Sequence, residues 1–265
     1  MSPVIPGVLA KFEPPTTKDF VWPCWGGSVD IGGLSFCMNF IYFLLLLSFV
    51  AFIVLFTLAF RRPNVIPGKL QSVMEVGVQF VRENIAIPMI GHEGDRFMPL
   101  LTTLFFFILL GNLLEVVPGI NFSHNSRVAF PISMAAVSWA TFNAVGIRKY
   151  GFVGYAKHVL FPPGVPGWLK PFLALIEFVT QIIVRPITLS IRLAANFLAA
   201  HFLLAVFFLG TIALLQGGFL AIVGPFAFAI AIALVGFEIF VAILQAFIFA
   251  ILTASYIGGA MAEEH

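Results

Sequence analysis

Long apolar runs alternate with short polar or Gly/Pro-rich segments along this chain. Residues 31–60 and 128–147 contain no charged side chain, and residues 97–117 and 219–257 contain one each. About 20 consecutive apolar residues suffice for a helix to cross a bilayer. The pattern therefore predicts an all-α polytopic membrane protein that begins with a transmembrane helix over residues 31–60.

The segment after the first run has a different periodicity. In residues 69–90, Leu70, Val73, Val76 and Phe80 recur at helical spacing among polar side chains. Such spacing is typical of an amphipathic helix that lies on the membrane surface. Beyond it, residues 97–147 hold two apolar runs joined by a polar loop, which predicts a helical hairpin. Residues 150–170, rich in Gly and Pro, are predicted to be a connector.

A second and longer hairpin is predicted over residues 169–258. From residue 172 to residue 209 the chain has no glycine, and Pro186 is its one proline. At ~1.5 Å per residue such a helix is about 57 Å long, whereas the core of a bilayer is about 30 Å thick. No polar turn divides the run, so we expect one helix, strongly tilted in the membrane and bent near Pro186.

Polar side chains stand on this helix at membrane depth. A charge there costs at least ~2.5–3.5 kcal/mol, so Arg192 indicates function; the alternative is an arginine that snorkels or pairs with a structural carboxylate. At about 100° per residue, Glu177 falls about 60° to one side of Arg192 and Arg185 about 20° to the other, while His201 falls on the opposite face. The predicted polar stripe comprises Glu177, Gln181, Arg185, Thr188, Arg192 and Asn196.

Glu238 and Gln245 are the two strongly polar side chains of residues 219–257. They are seven positions apart and share a helix face. If that face meets His201, Glu238 and His201 form a proton-passing pair, because an imidazole titrates near neutral pH. Asn112 and Glu115 end the preceding apolar run and are further candidates. The alternative for all of them is structural, as buried or paired carboxyls and as amides that hydrogen-bond between helices.

Composition supports the membrane assignment. Of 265 residues 60% are hydrophobic and 10% are charged, with a mean hydropathy of +1.05. The net charge of +2 gives no reason to expect nucleic-acid binding. With only Cys24 and Cys37, no metal site or other cofactor is expected, and a disulfide is unsupported. Basic residues follow two of the runs, at Arg61, Arg62, Arg148 and Lys149, and they predict an external N-terminus and a cytoplasmic C-terminus.

The first 30 residues hold five prolines and are predicted to be an irregular extracytoplasmic segment, followed by a single membrane domain over residues 31–265. Two segments of that domain carry a family pattern. Residues 185–201 read RPITLSIRLAANFLAAH, and residues 244–253 read LQAFIFAILT. Together they resemble subunit a of the F-type ATP synthase, of the bacterial type. The resemblance extends over about residues 65–262.

The resemblance implies a stator subunit that lies beside a rotating ring of c subunits, with b-type peripheral-stalk subunits, the remainder of the ATP synthase and the lipid bilayer as its other partners. It implies no chemistry on ATP in this chain. Arg192 matches the essential arginine of the family, and Asn196 and Gln245 match two amide side chains of its pattern. His201 and Glu238 match a pair that some members carry in exchanged order.

Two proton paths are then expected. One opens outward past Glu238 and His201, with Asn112 or Glu115, and the other opens inward past Glu177 and Arg185. The expected location is a bacterial plasma membrane, with the mitochondrial inner membrane as the alternative. Two other functions stay open: a stand-alone ion-coupled secondary transporter, which the lack of an internal repeat disfavours, and a structural membrane anchor.

Overall fold

The computed structural model describes residues 28–31, 34–37, 39–61, 66–117, 120, 123, 129–161, 167–215 and 222–262. Most of the predicted irregular segment, Cys24 and Arg62 lie outside the described residues. Within them the chain is helical, apart from an antiparallel hairpin of β1 (Ser28–Ile31) and β2 (Leu34–Cys37) that pairs Ser28 with Cys37. Three residues of the segment predicted to be irregular therefore belong to a strand.

Helix α1 spans Phe40–Phe60 and begins nine residues later than predicted. Asn39 determines this start, because its Oδ1 accepts hydrogen bonds from the amides of Ile41 (3.2 Å) and Tyr42 (3.3 Å). An asparagine in this position satisfies amides that the first helical turn leaves without partners. Only four of the 21 residues of α1 are buried, as expected for a helix that faces lipid or another subunit.

Helix α2 (Lys69–Val81) continues through a π turn (Arg82–Ala86) into α3 (Ile87–Ile90). Leu70, Val73 and Val76 are exposed, whereas Gln71 and Met74 are buried against the protein. The first part of the predicted apolar stripe thus points away from its own chain, whereas Phe80 at its end packs on Phe105 and Phe247. A 3₁₀ turn (Gly91–Phe97) then leads into α4 (Met98–Val116).

Helix α5 (Ala129–Leu160) is two helices joined at Gly151, whose φ of 70° and ψ of 166° are not helical. Glycine adopts a positive φ without the steric cost that a Cβ brings. After Gly151 the chain folds back onto the part of α5 that precedes it. Tyr155 packs so closely on Gly146 that a Cβ at residue 146 would overlap its ring. The predicted connector therefore begins with helix as far as Leu160.

Helices α6 (Lys170–Val179) and α7 (Arg185–Leu215) form one continuous helix through a π turn (Thr180–Val184). The 46 residues from Lys170 to Leu215 are about 69 Å long at ~1.5 Å per residue. A bilayer core of about 30 Å can hold that length only if the helix is strongly tilted or extends beyond it. The π turn stands directly before Pro186, where we predicted a bend.

Helix α8 (Gly224–Met261) is the centre of the bundle. Helices α4, α5 and α7 all pack on it, and α4 and α5 pack on α8 more extensively than on each other. Small side chains along α8 let several helices approach it closely. Those buried small residues are Ala231, Ala242, Ala246, Ala250, Ala254 and Ala260.

Five helical segments are long and apolar enough to cross a membrane: Phe40–Phe60, Lys69–Val116, Ala129–Leu160, Lys170–Leu215 and Gly224–Met261. The segment Lys170–Leu215 is the least covered by the rest of the chain, since only 6% of its most apolar stretch is buried inside the protein. The predicted all-α polytopic membrane architecture is confirmed. A large exposed apolar face on one long helix needs lipid or another subunit against it.

Candidate functional site

Arg192 is exposed on the open face of α7. Within the described part of the chain the one ion pair joins Arg82 to Asp95, with Nε 2.7 Å from Oδ1. Arg192 has no hydrogen bond or ion pair with any described residue. On a helix that is this apolar, a guanidinium with no counter-ion among the described residues is a candidate functional group.

A first group of ionisable side chains, which we call the glutamate cluster, consists of Glu115, His201 and Glu238. Glu115 of α4 and His201 of α7 line one cavity of about 150 Å³. Glu115 and Glu238 are both buried and lie close enough to interact electrostatically. Both carboxyl oxygens of Glu238 and Oε1 of Glu115 have no hydrogen-bond partner among the described residues. The imidazole of His201 stacks on Phe197, with the ring centroids 5.7 Å apart.

Glu115 thus belongs with both members of the predicted His201–Glu238 pair. Gln245 is buried on the same face of α8 as Glu238, and its Nε2 has no partner among the described residues. Asn112 is buried one turn before Glu115, whereas Asn196 is partly exposed on α7. The amide candidates therefore lie on three different helices.

A second group surrounds what we call the arginine cavity, a space of about 390 Å³ between α5, the α6–α7 helix and the end of α8. Glu177, Gln181 and Arg185 line it from the long helix, facing Tyr155 of α5 and Tyr256 of α8. The guanidinium carbon of Arg185 lies 4.8 Å from the ring centroid of Tyr256, at a distance typical of cation–π contacts. The cavity is therefore lined by both charged and aromatic groups.

Gln181 is held in this cavity by side chains of α5. Its Nε2 donates to the Tyr155 hydroxyl (2.8 Å), and that hydroxyl donates to Oδ1 of Asn143 (3.2 Å). Its backbone carbonyl accepts from Nε1 of Trp139 (3.0 Å). Sequence reasoning assigned no role to Tyr155, Asn143 or Trp139. Polar side chains within or just after an apolar run were the available signal.

The predicted polar stripe is not continuous. Gln181 is buried against α5, whereas Thr188 and Arg192 are exposed. The π turn explains the difference, because one extra residue in a turn offsets the two ends of the helix by about 100° relative to a regular α-helix. Regular periodicity cannot describe both sides of such a turn.

Arg192 stands between the two groups along the helix. It is seven residues past Arg185 and nine before His201, which is about 10 Å and about 14 Å along the axis. No set of three or more His, Cys, Asp or Glu side chains that could hold a metal occurs in the part of the chain that the structure describes. The arrangement offers hydrogen-bonding and proton-accepting groups on both sides of one exposed cation.

The fold and these side chains define a multi-pass membrane protein that carries ionisable groups at membrane depth. Comparison with known proteins adds the family. Residues 41–258 match the family described as the ATP synthase A chain. The chain is 41% identical to ATP synthase subunit a of Rhodococcus erythropolis (strain PR4 / NBRC 100887), over 96% of this chain and 93% of that protein.

Two further relatives agree. ATP synthase subunit a of Nocardioides sp. (strain ATCC BAA-499 / JS614) is 40% identical over 96% of this chain and 95% of that protein. That of Parafrankia sp. (strain EAN1pec) is 43% identical over 95% of this chain and 85% of that protein. The chain belongs to the ATP synthase subunit a family, a membrane subunit of that enzyme complex, and the resemblance seen in residues 185–201 and 244–253 is confirmed.

Proposed function

We propose that this chain is the proton-conducting stator subunit of an F-type Fo motor, and that Arg192 removes the proton from a carboxyl on each passing c subunit. The observation that carries the proposal is the position of Arg192, exposed on an apolar helix and without an ion pair in the described part of the chain. A guanidinium at membrane depth needs a counter-ion, and a ring carboxylate supplies one.

The electrostatics of this contact give direction to the reaction. A c-subunit carboxyl that faces lipid is protonated, since a bare carboxylate there is too costly. Opposite Arg192 the anion is favoured, because a guanidinium stays charged and attracts it. The ring therefore releases protons at Arg192, and the fixed positive charge opposes direct passage of protons across the helix.

Two half-channels complete the path. The glutamate cluster forms the outer half-channel, together with Asn112, which lies one turn before Glu115 on α4. The arginine cavity forms the inner half-channel, past Glu177 and Arg185. Asn196 and Gln245 are proposed to shape the contact between Arg192 and the ring. Arg192 separates the two groups along the helix, which supports its role as a barrier between them.

The proposed setting is a bacterial plasma membrane, with the N-terminus outside and the C-terminus in the cytoplasm. Arg61, Arg148 and Lys149 then lie on the inner side, in agreement with the positive-inside rule. Partners are the c ring, which covers the exposed face of α7, the b-type peripheral stalk and the remainder of the synthase. Each proton that crosses 100 mV contributes ~2.3 kcal/mol to rotation.

The test is Arg192→Ala in the complete ATP synthase, with Arg96→Ala as the matched control, because Arg96 lies in the polar turn before α4 rather than on the long helix. We expect ATP synthesis and ATP-driven proton pumping to be lost in the Arg192 variant and kept in the control. Normal coupled synthesis by an assembled Arg192→Ala complex would contradict the proposal.

A further inference from the structure

The π turn Thr180–Val184 leaves one backbone group without its helical partner. At the end of the turn the amide of Arg185 donates to the carbonyl of Thr180, five residues back. In the same register the amide of residue 186 would donate to the carbonyl of Gln181. Residue 186 is proline, which has no N–H. The Gln181 carbonyl therefore needs a donor from elsewhere, because an unpaired carbonyl away from water is costly.

Trp139 of α5 is that donor. Its indole Nε1 lies 3.0 Å from the Gln181 carbonyl oxygen, and an indole N–H can only donate. The hydroxyl of Tyr155, in the part of α5 after Gly151, accepts from the side chain of Gln181. Helix α5 thus holds the turn through both the backbone and the side chain of one residue.

The π turn changes which side chains share a face. Glu177 and Arg185 are eight positions apart, so that a regular helix would place them about 80° from each other. With one residue taken up by the π turn the angle falls to about 20°. In agreement with the smaller angle, both side chains line the arginine cavity.

We propose that Trp139 is a positioning residue, whose indole N–H maintains the π turn and thereby keeps Glu177 and Arg185 on one face of the long helix. Its effect on proton flow rests on the function proposed above for the arginine cavity. Its effect on the backbone does not, since it follows from the hydrogen bond and the missing amide of Pro186 alone.

The first experiment is Trp139→Phe in the complete ATP synthase, with Trp168→Phe as the control, because Trp168 is 81% exposed. Phenylalanine keeps an aromatic ring and removes the N–H. Loss of one hydrogen bond should lower the population of the π turn roughly two- to tenfold relative to a regular α turn. Electron cryo-microscopy should show residues 170–179 rotated against residues 187–199, with unchanged backbone in the control. An unaltered π turn in the Trp139 variant would overturn the proposal.

The second experiment is a rescue. Pro186→Ala restores the amide of residue 186, so the Gln181 carbonyl regains a backbone donor in the π register. In the protein that keeps Pro186, we expect Trp139→Phe to lower the number of protons pumped per ATP hydrolysed roughly two- to tenfold. In the Pro186→Ala background the same substitution should have a much smaller effect. If Trp139→Phe impairs assembly, the yield of complex should show the same rescue. Equal losses in both backgrounds would overturn the proposal.

The two experiments separate this inference from the proposed function. A rotated helix with unchanged pumping would support the positioning role of Trp139 and contradict the place of the arginine cavity in the proton path. An unrotated helix with reduced pumping would contradict the positioning role of Trp139 and leave the arginine cavity in the proton path.

Discussion

The glutamate cluster and the arginine cavity each include side chains of the same long helix, but they differ in how their polar atoms are satisfied. In the glutamate cluster, both carboxyl oxygens of Glu238 and one of Glu115 have no hydrogen-bond partner among the described residues. In the arginine cavity, Gln181 is hydrogen-bonded through its side-chain nitrogen and its backbone carbonyl, and only its Oε1 has no partner there. The cavity at the cluster is about 150 Å³, and the arginine cavity is about 390 Å³.

The difference shows two ways of placing polar groups in a membrane bundle. Unpartnered carboxyl oxygens add nothing to stability, so we predict for the buried carboxyls of this cluster a role in exchange with a mobile species. A side chain that is hydrogen-bonded to a neighbouring helix, such as Gln181, rigidifies its surroundings. Substitution in the glutamate cluster should therefore change proton flow, whereas substitution around Gln181 should change stability first.

Among the substitutions that test this comparison, the largest effect is expected for Glu238→Gln. The amide has almost the same shape but cannot exchange a proton, and a positioned proton-transfer group typically accelerates transfer on the order of 10²–10⁴-fold. We expect passive proton flow through Fo in reconstituted membranes to fall on the order of tenfold or more, without a loss of thermal stability of the complex.

Glu93→Gln is the matched control, because Glu93 is exposed in the turn before α4. Its proton flow should equal that of the unchanged protein. An unchanged rate of proton flow in the Glu238 variant would remove this side chain from the path. It would also contradict the prediction that the unpartnered carboxyls of the glutamate cluster exchange protons.

The next effect is on stability, at the contact that brings Tyr155 to Gln181. A Cβ at Gly146 would lie 2.1 Å from a ring carbon of Tyr155, and overpacking of this kind costs about 1–3 kcal/mol. Gly146→Ala should lower the temperature at which the complex dissociates. Gly210→Ala is the control, because a Cβ there would meet nothing within 4 Å among the described residues and alanine favours the helix by roughly 0.5–1 kcal/mol. Equal behaviour of the two variants would show that the Tyr155 contact is not tight.

The membrane architecture could be predicted from the sequence because apolar runs with few charges admit one structural solution. The same holds for the helix from Lys170 to Leu215, which has no glycine before Gly210 and no polar turn. The packing order could not be predicted, since α4 and α5 are neighbours in sequence but α4 packs mainly on α8, whereas α5 packs on both α7 and α8. Their preference depends on small side chains that meet other helices, and a single helix pattern does not specify its partner.

The candidate site shows a similar division. Arg192, Glu238 and His201 stand out because charge and imidazole are rare in apolar runs, and their roles stay predictions. The π turn was missed because a periodicity of about 100° per residue has no place for an extra residue. Two features of the sequence hint at it: Pro186, which lacks the amide that a regular turn needs, and Trp139, whose indole N–H requires an acceptor inside the bundle.

The smallest effect is expected for Tyr155→Phe, which keeps the ring packed on Gly146 and removes the hydroxyl that accepts from Gln181. One lost hydrogen bond costs about 0.5–1.5 kcal/mol. Asn143 reduces that cost, because its Oδ1 also lies 3.4 Å from Nε2 of Gln181 and remains as an acceptor. We expect thermal dissociation of the complex at a slightly lower temperature and proton flow within about twofold of the unchanged protein.

Tyr42→Phe serves as the control for Tyr155→Phe, because the side chain of Tyr42 is exposed on α1. If Tyr155→Phe instead lowered proton flow as far as Glu238→Gln while stability stayed constant, the hydroxyl would itself belong to the path, and the contrast between a hydrogen-bonded cavity and an unpartnered cluster would be wrong.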